Sequence, residues 1–509
     1  MNALLIGCVM IPVVTAAVIY LAPGGRRTRS WISIGGMSLL VVAGALLLRE
    51  VSRHGVLAEQ MGGWAAPMGI TLIADTFSAM LVLVAALVGL TVSVHAVDDI
   101  QDDTSAGGFD SFLHLLIAGV VGAFLTGDIF NLYVWFEVML ISSFALMVLG
   151  GDRVQLDGAV KYVAINLIST VVFLTAIGLL YGLAGTLNMA DLAGTLPEVG
   201  NQDLVRVVSV MFLIAFGIKA AVFPLYFWLP ASYHTLPISV SALFAALMTK
   251  VGVYALVRCF TLLFTGDEEL VRGIVLTAAV LTMVTGVFGA MAHTDMRRIL
   301  AYHVISSIGF MLLGLGLGSP LAMAASIFYM LHGILVKALL FMLIGLVASA
   351  GGSFELGRLG GLYRARPGFS MLFLLAALSL IGIPPLSGFW AKLSLVEAGL
   401  EREAFWVLAV LLAVSLLSFV PMIRIWAEAF WKNAPEPPQA PGTAVNPIGS
   451  GRAAPSDSRM VPVVALSLIL LGIGFAPAPF LSLTDRAAAD LLQPEAYVNA
   501  VLEPAGDAP

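Results

Sequence analysis

The sequence predicts an all-α polytopic membrane protein of about 14 transmembrane helices, two of them broken. Three observations lead there. Of the 509 residues, 60% are hydrophobic and only 11% are charged. The mean hydropathy is +1.00. The apolar residues fall in blocks of about 20, the length that crosses a hydrocarbon core of roughly 30 Å. A soluble chain carries about 25% charged residues, so soluble enzymes, nucleic-acid binders and secreted modules are excluded. The blocks lack the short alternation of an outer-membrane barrel, which leaves a helical bundle.

The candidate helices cover 2–22, 31–49, 76–96, 112–127, 129–149, 159–183, 205–230, 239–263, 271–291, 299–317, 321–349, 370–397, 403–430 and 461–483. The first block has no basic stretch ahead of it and is followed by Arg26, Arg27 and Arg29. A cleaved secretory signal carries its charge on the other side, so the block reads as a retained helix. Cys8 and Cys259 both lie in apolar blocks, which offers neither a disulfide framework nor a metal cluster. Most loop arginines, among them Arg26, Arg297, Arg298, Arg358, Arg364 and Arg366, follow odd-numbered helices. Those loops are expected in the cytoplasm, with both termini on the opposite side. The acidic loop that begins at Asp98 falls on the cytoplasmic side and carries little orienting weight. Residues 434–458, rich in Pro, Gly, Ala and Ser, read as a flexible linker.

An internal repeat is visible. Residues 223–228 read FPLYFW and residues 384–390 read PPLSGFW, each late in an apolar block and each preceded by a helical glycine, Gly217 or Gly382. An offset of five helices is odd, so the copies would be inverted, with broken helices at Gly217, Pro224 and Pro230 and at Gly382, Pro384, Pro385 and Gly388. Pro and Gly are also common in ordinary transmembrane helices, which is the competing reading. The expected organisation is a three-helix segment (1–110), two five-helix repeats (111–263 and 264–430), the linker (431–460), and a last helix with its tail (461–509).

Lysine usage carries the functional signal. The chain has six lysines, and Lys219, Lys250, Lys337 and Lys392 lie well inside apolar blocks. A cation at mid-membrane costs roughly 3 kcal/mol or more, so each such site needs a reason. The arginines favour loops and helix ends. Burial disfavours a charged amine, so a lysine in the membrane can release its proton near neutral pH. Arginine cannot. Lysines inside and arginines outside therefore point to protons that come and go.

Glu137, in NLYVWFEVML, is the acid near a helix centre, and beside Lys219 it could form a closed ion pair or an open, partly neutralised one. A static buried salt bridge is the alternative. His332 and Lys337 share one helix, with His303 in the helix before and His234 near Pro230. Histidine suits a relay between lysines, or equally a hydrogen-bonded packing role. Lys161 reads as snorkelling at a helix end. Asp152, Asp157, Arg153 and Arg258 read as interfacial charges. The alternating Gly314, Gly316 and Gly318 follow no strand, so no dinucleotide site is expected.

Glu137 in an early central helix, Lys219 before FPLYFWLPASYHTLPISVSALFAALMTK, and Lys250 closing that run resemble the proton-conducting antiporter-like family. It comprises large subunits of Mrp-type multisubunit cation/proton antiporters and related membrane subunits of respiratory NADH–quinone oxidoreductases. The likeness runs from about Asp75 to Arg424, and the length and Lys392 are most similar to the shorter, D-type branch. It implies 14 helices with two inverted five-helix repeats and an ion pair of Glu137 with Lys219. Lys250 and His332 would connect that pair to the terminal Lys392, and the residues themselves add Lys337 to this path, with no bound cofactor, no metal and no catalytic chemistry expected. It also implies a proton-translocating part in Na⁺ (or Li⁺)/H⁺ antiport in the cell membrane. The partners would be a large A-type subunit, small membrane subunits, the lipid bilayer, protons and Na⁺, and no nucleic acid. A respiratory proton-pumping subunit and a non-conducting scaffold are the alternatives.

Overall fold

The computed structural model describes residues 3–23, 25–100, 103–266, 268–434 and 457–502. The linker expectation falls on 435–456, outside the described residues. Helices α1 (Ala3–Leu21) and α2 (Arg26–His54) open the chain, followed by a hairpin of β1 (Leu57–Gln60) and β2 (Thr71–Ala74), with Leu57 opposite Ala74. Then come α3 (Thr76–Asp99), α4 (Asp103–Leu125), α5 (Ile129–Val148) and α6 (Arg153–Ala184). A short α7 (Met189–Thr195) leads to α8 (Gln202–Ala220), which breaks and resumes as α9 (Trp228–Ser232).

The second half of the chain follows. α10 (Ile238–Leu262) is followed by α11 (Glu268–Ala292), α12 (Met296–Leu317) and the long α13 (Pro320–Gly351). After a one-turn α14 (Leu362–Ala365), α15 (Pro367–Ile381) breaks and resumes as α16 (Ser387–Glu401). α17 (Phe405–Leu417), α18 (Phe419–Ile425) and a π-helical stretch Trp426–Trp431 form the next span. α19 (Asp457–Phe475), α20 (Ala478–Leu492) and α21 (Glu495–Leu502) close the described chain. Among the described residues, 12 helices are long and apolar enough to cross a membrane, apart from the two interrupted segments.

Side-chain caps fix several helix starts, because the first backbone N–H groups of a helix have no partner within it. Asp75 caps α3 through Ser78 N (2.8 Å), Asp128 caps α5 through Asn131 N (2.7 Å), and Asp295 caps α12 through Arg297 N (2.8 Å). Asp128 and Asp295 also bridge to corresponding strand-like residues, Asn188 and Glu355. The apolar stretch of α10 is buried along its whole length, with α12 and α13 nearly so. These three helices, with α4, form the interior, and α1, α2 and α6 expose more of their surface.

Three features depart from the sequence expectation. The last predicted helix, 461–483, ends at Phe475, because Pro477 cannot donate a helical hydrogen bond and the chain turns into α20. α20 and α21 then fold back on the hairpin: Gln60 Nε2 donates to Val501 O (3.3 Å) and Thr76 N to Asp490 Oδ2 (3.3 Å). The hairpin itself is too short, and too mixed in pattern, to read as strands.

Candidate functional site

The break in the first interrupted helix sets the geometry of Lys219. α8 ends at Ala220, and Ala221 turns the chain with φ 59° and ψ 49°. The carbonyl groups freed there are met locally. Val222 N donates to Gly217 O (2.9 Å), and the indole of Trp228, from the resumed half, donates to Ile218 O (3.0 Å). Phe223 N finds Thr282 Oγ1 at 2.9 Å. Such partners are what lets irregular backbone persist at membrane depth. Of the positions expected to break this helix, Pro224 lies in the turn, whereas Gly217 and Pro230 lie in the helical halves on either side.

Lys219 therefore sits in the last turn of α8, where the helix dipole favours a cation. Its Nζ is 5.4 Å from the centroid of the Phe136 ring, a distance at which the ring face attracts an ammonium. Glu137, one residue on from that phenylalanine, accepts a hydrogen bond from Thr170 Oγ1 (2.8 Å). Glu137 and Lys219 are electrostatic neighbours, yet no contact within 4.0 Å joins them. Both are half-buried. A narrow gap beside Lys219 is lined by Phe136, Tyr162, Asn166 and Trp228 among others.

The other three lysines are buried. Lys250, midway along α10, donates to Ala245 O (2.5 Å). Lys337, on α13, is 0% exposed and its Nζ has no hydrogen-bond partner among the described residues. Lys392 follows the second break, where Gly382 turns the chain at φ 94° and Pro384 and Pro385 form the bend. Gly388 falls instead in the first turn of α16, packed on the backbone of Ser379 and on His332. Lys392 Nζ donates to Ile381 O (2.6 Å), the carbonyl that ends α15, and lies 5.3 Å from the Phe310 ring centroid. The lysine thus does at the second break what Trp228 does at the first.

These amines are connected. Lys337 is an electrostatic neighbour of both Lys250 and Lys392, and His332 and His303 are neighbours of Lys337 and Lys392. His332 Nδ1 is 3.0 Å from Ser387 Oγ, which is 3.1 Å from Ser379 Oγ. His303 is 2% exposed, and its Nε2 has no partner among the described residues. The sequence left it open between a relay and a packing role, and did not place it among the relay residues. A signal was present: His303 follows the capping Asp295 at nearly the spacing by which Glu137 follows Asp128.

The remaining charges sort differently. His234 Nδ1 donates to Pro230 O (2.9 Å), while its Nε2 accepts from Arg298 Nη2 (3.1 Å). Burial, and then the Arg298 charge, push its pKa below the ordinary imidazole value, so it stays the neutral tautomer these bonds require. Lys161 pairs with Asp157 at 2.5 Å on an exposed face. Arg258 is not an exposed charge. It forms a buried ion pair with Asp75 at 2.5 Å, because the capping end of α3 packs against the late turns of α10.

Helices that stop and restart beside buried amines define a polytopic membrane subunit of the ion-transport class. The chain belongs to the NADH:quinone oxidoreductase/Mrp antiporter transmembrane family, whose pattern matches residues 126–418. It is 39% identical over 506 residues to the D-type subunit of the Na(+)/H(+) antiporter of Alkalihalophilus pseudofirmus OF4, covering 99% of this chain and 100% of that one. The corresponding D-type subunit of Bacillus subtilis 168 is 37% identical over 504 residues, with the same coverage. In the solved structure of the Mrp complex from Dietzia sp. DQ12-45-1b, one chain matches at TM-score 0.89 and 32% identity, covering 99% of this chain and 100% of that chain.

Proposed function

We propose that this chain is the proton-translocating subunit of a multisubunit Na⁺/H⁺ antiporter, working by secondary active exchange with other membrane subunits. The observation that carries the reading is the set of amines inside the bundle: Lys219 beside Glu137, and Lys337 in electrostatic reach of Lys250 and Lys392, with His303 and His332 beside Lys337 and Lys392. Full-length likeness to D-type antiporter subunits supports it, and favours antiport over the respiratory role that the family also contains. The proposed organisation is two inverted repeats, 111–263 and 264–430, each with its fourth span broken, set between residues 1–110 and 461–509.

In this reading Glu137 biases the protonation of Lys219. With the pair open, Lys219 gives its proton towards Lys250; with the pair closed, it holds the proton. Lys337, His332 and His303 carry the charge onward to Lys392, whose contact with Ile381 O is made by the ammonium form and weakened when the proton leaves. The test is sodium-driven proton flux in vesicles holding the whole complex. Lys219→Ala and Glu137→Ala are expected to lower exchange at least tenfold while the complex still assembles. Unchanged exchange would make the chain a scaffold.

A further inference from the structure

α3 ends beside the start of α10. Asp99, the last residue of α3, accepts hydrogen bonds from Ser239 N (3.0 Å) and from Ser239 Oγ (2.8 Å). One turn earlier, His95 is 1% exposed, and its Nδ1 lies 3.0 Å from the same Ser239 Oγ. A hydroxyl has a single proton to give. Ser239 gives it to Asp99, so at the serine the histidine is the donor and Nδ1 carries the ring proton. Nε2 is left as a bare lone pair. It is buried and has no hydrogen-bond partner among the described residues. A buried base without a partner calls for an explanation beyond helix packing.

The surroundings say where this base leads. Outward lie Asp99, Asp98 and Arg459, the last donating to the backbone O of Asp98. Arg26 donates to Ala96 O and Val97 O at the same end. Inward along α10, Lys250 stands about 16 Å beyond Ser239 at 1.5 Å per residue. Gly345 of α13 packs against Ile238, which puts Lys337 about 12 Å deeper than that contact. His95 thus stands between an arginine-rich surface and the buried amines, with its free nitrogen unclaimed.

We infer that His95, Ser239 and Asp99 form a proton port linking this face of the membrane to the lysine row; the inference rests on the proton-translocation reading above. A proton arriving at Nε2 makes an imidazolium. The Nδ1–H bond then breaks as that proton passes to Ser239 Oγ, while the original serine proton passes to Asp99 Oδ2. The products are a neutral imidazole protonated at Nε2, an intact serine hydroxyl and a carboxylic acid. Asp99 releases its proton to water, and rotation of the imidazole that brings Nε2–H onto Ser239 Oγ leaves Nδ1 as the bare base for the next proton, so the two nitrogens exchange roles from one turnover to the next. The reverse order takes a proton up.

The test uses the intact complex in vesicles, with sodium-driven proton flux as the readout. His95→Gln keeps an amide that can donate to Ser239 but cannot take up a proton, so a structural role would survive it. The expected result is at least a tenfold loss of exchange with normal complex yield, and partial recovery of His95→Ala by imidazole in the buffer. Full exchange in His95→Gln, with Lys219→Ala still inactive, overturns the port and leaves the wider reading standing. Full exchange in both overturns the wider reading and the port with it. Should His95→Gln fail to assemble, Ser239 decides. Loss in Ser239→Ala with retention in Ser239→Thr supports the port, and full exchange in Ser239→Ala overturns it.

Discussion

Asp75 and Arg258 meet at 2.5 Å with 1% and 5% of their side chains exposed, so each charge depends on the other. The pair does more than neutralise itself. Asp75 also caps α3, and the Arg258 guanidinium lies 5.4 Å from the Tyr254 ring and 5.1 Å from the Tyr497 ring of α21. Tyr254 in turn donates to Phe124 O at the end of α4 (2.8 Å). Removing one member of such a pair strands a buried charge, at about 3–5 kcal/mol, whereas removing both charges is often neutral. Arg258→Met is therefore expected to lower the melting temperature of the purified complex sharply. Adding Asp75→Asn, which keeps the cap, should recover most of the loss. A double variant as unstable as the single one would show that the arginine matters for packing alone. Nothing in one-dimensional spacing joins two residues 183 positions apart, which is why Arg258 reads from sequence as an interfacial charge. Lys219, Lys250, Lys337 and Lys392 are legible for the opposite reason. Each sits at the wrong polarity within its own block, and no partner is needed to notice it.

The interrupted helices show how an element can be legible in kind and not in place. Proline close to glycine marks both breaks in the sequence, yet in α8–α9 the left-handed turn is made by Ala221, a residue type that gives no warning. The position of that turn is set from outside, by α10. A Cβ at Gly252 would stand 2.6 Å from Ala220 N and 2.9 Å from the carbonyl carbon of Lys219. The missing side chain is what lets the end of α8 rest on α10. Gly252→Ala forces the two helices apart, and overpacking of this kind costs about 1–3 kcal/mol. Because the backbone displaced carries Lys219, exchange is expected to fall severalfold while the complex still forms. Normal exchange in Gly252→Ala would mean that the seat of α8 on α10 does not tune Lys219. α20 and α21 escape sequence reading for another reason: each is short and carries polar residues, so neither resembles a membrane span, and their partners are α13 and α3 for α20 and α7 and the hairpin for α21.

Across the whole molecule the charges gather at two ends that differ in kind. One end joins Arg26 to Ala96 and Val97, Asp99 to Ser239, Arg298 to His234, Arg424 to His293, and Lys432 to Gly361 through their backbone or side chains. Arg358, Arg364 and Arg366 follow α13 at the same end. The other end holds the hairpin, the Asp75–Arg258 pair, α7, α20 and α21, and the contact of Arg402 Nε with Leu317 O (3.0 Å). Loops rich in Lys and Arg stay on the cytoplasmic side, since that bias sets the orientation of a polytopic chain. The first end is thus expected to face the cytoplasm, which puts Ala3 and the α20–α21 tail on the outer side and the His95 port inside. Gly357 and Gly200 lie at opposite ends, both exposed, and an added Cβ meets nothing within 4 Å at either position. Both native cysteines are buried, so a single new cysteine reports its own side. Gly200→Cys should react with a membrane-impermeant thiol reagent in intact cells. Gly357→Cys should react only once the membrane is opened or inverted. The reverse pattern would turn the bundle over, and the port at Asp99 would then load protons from outside.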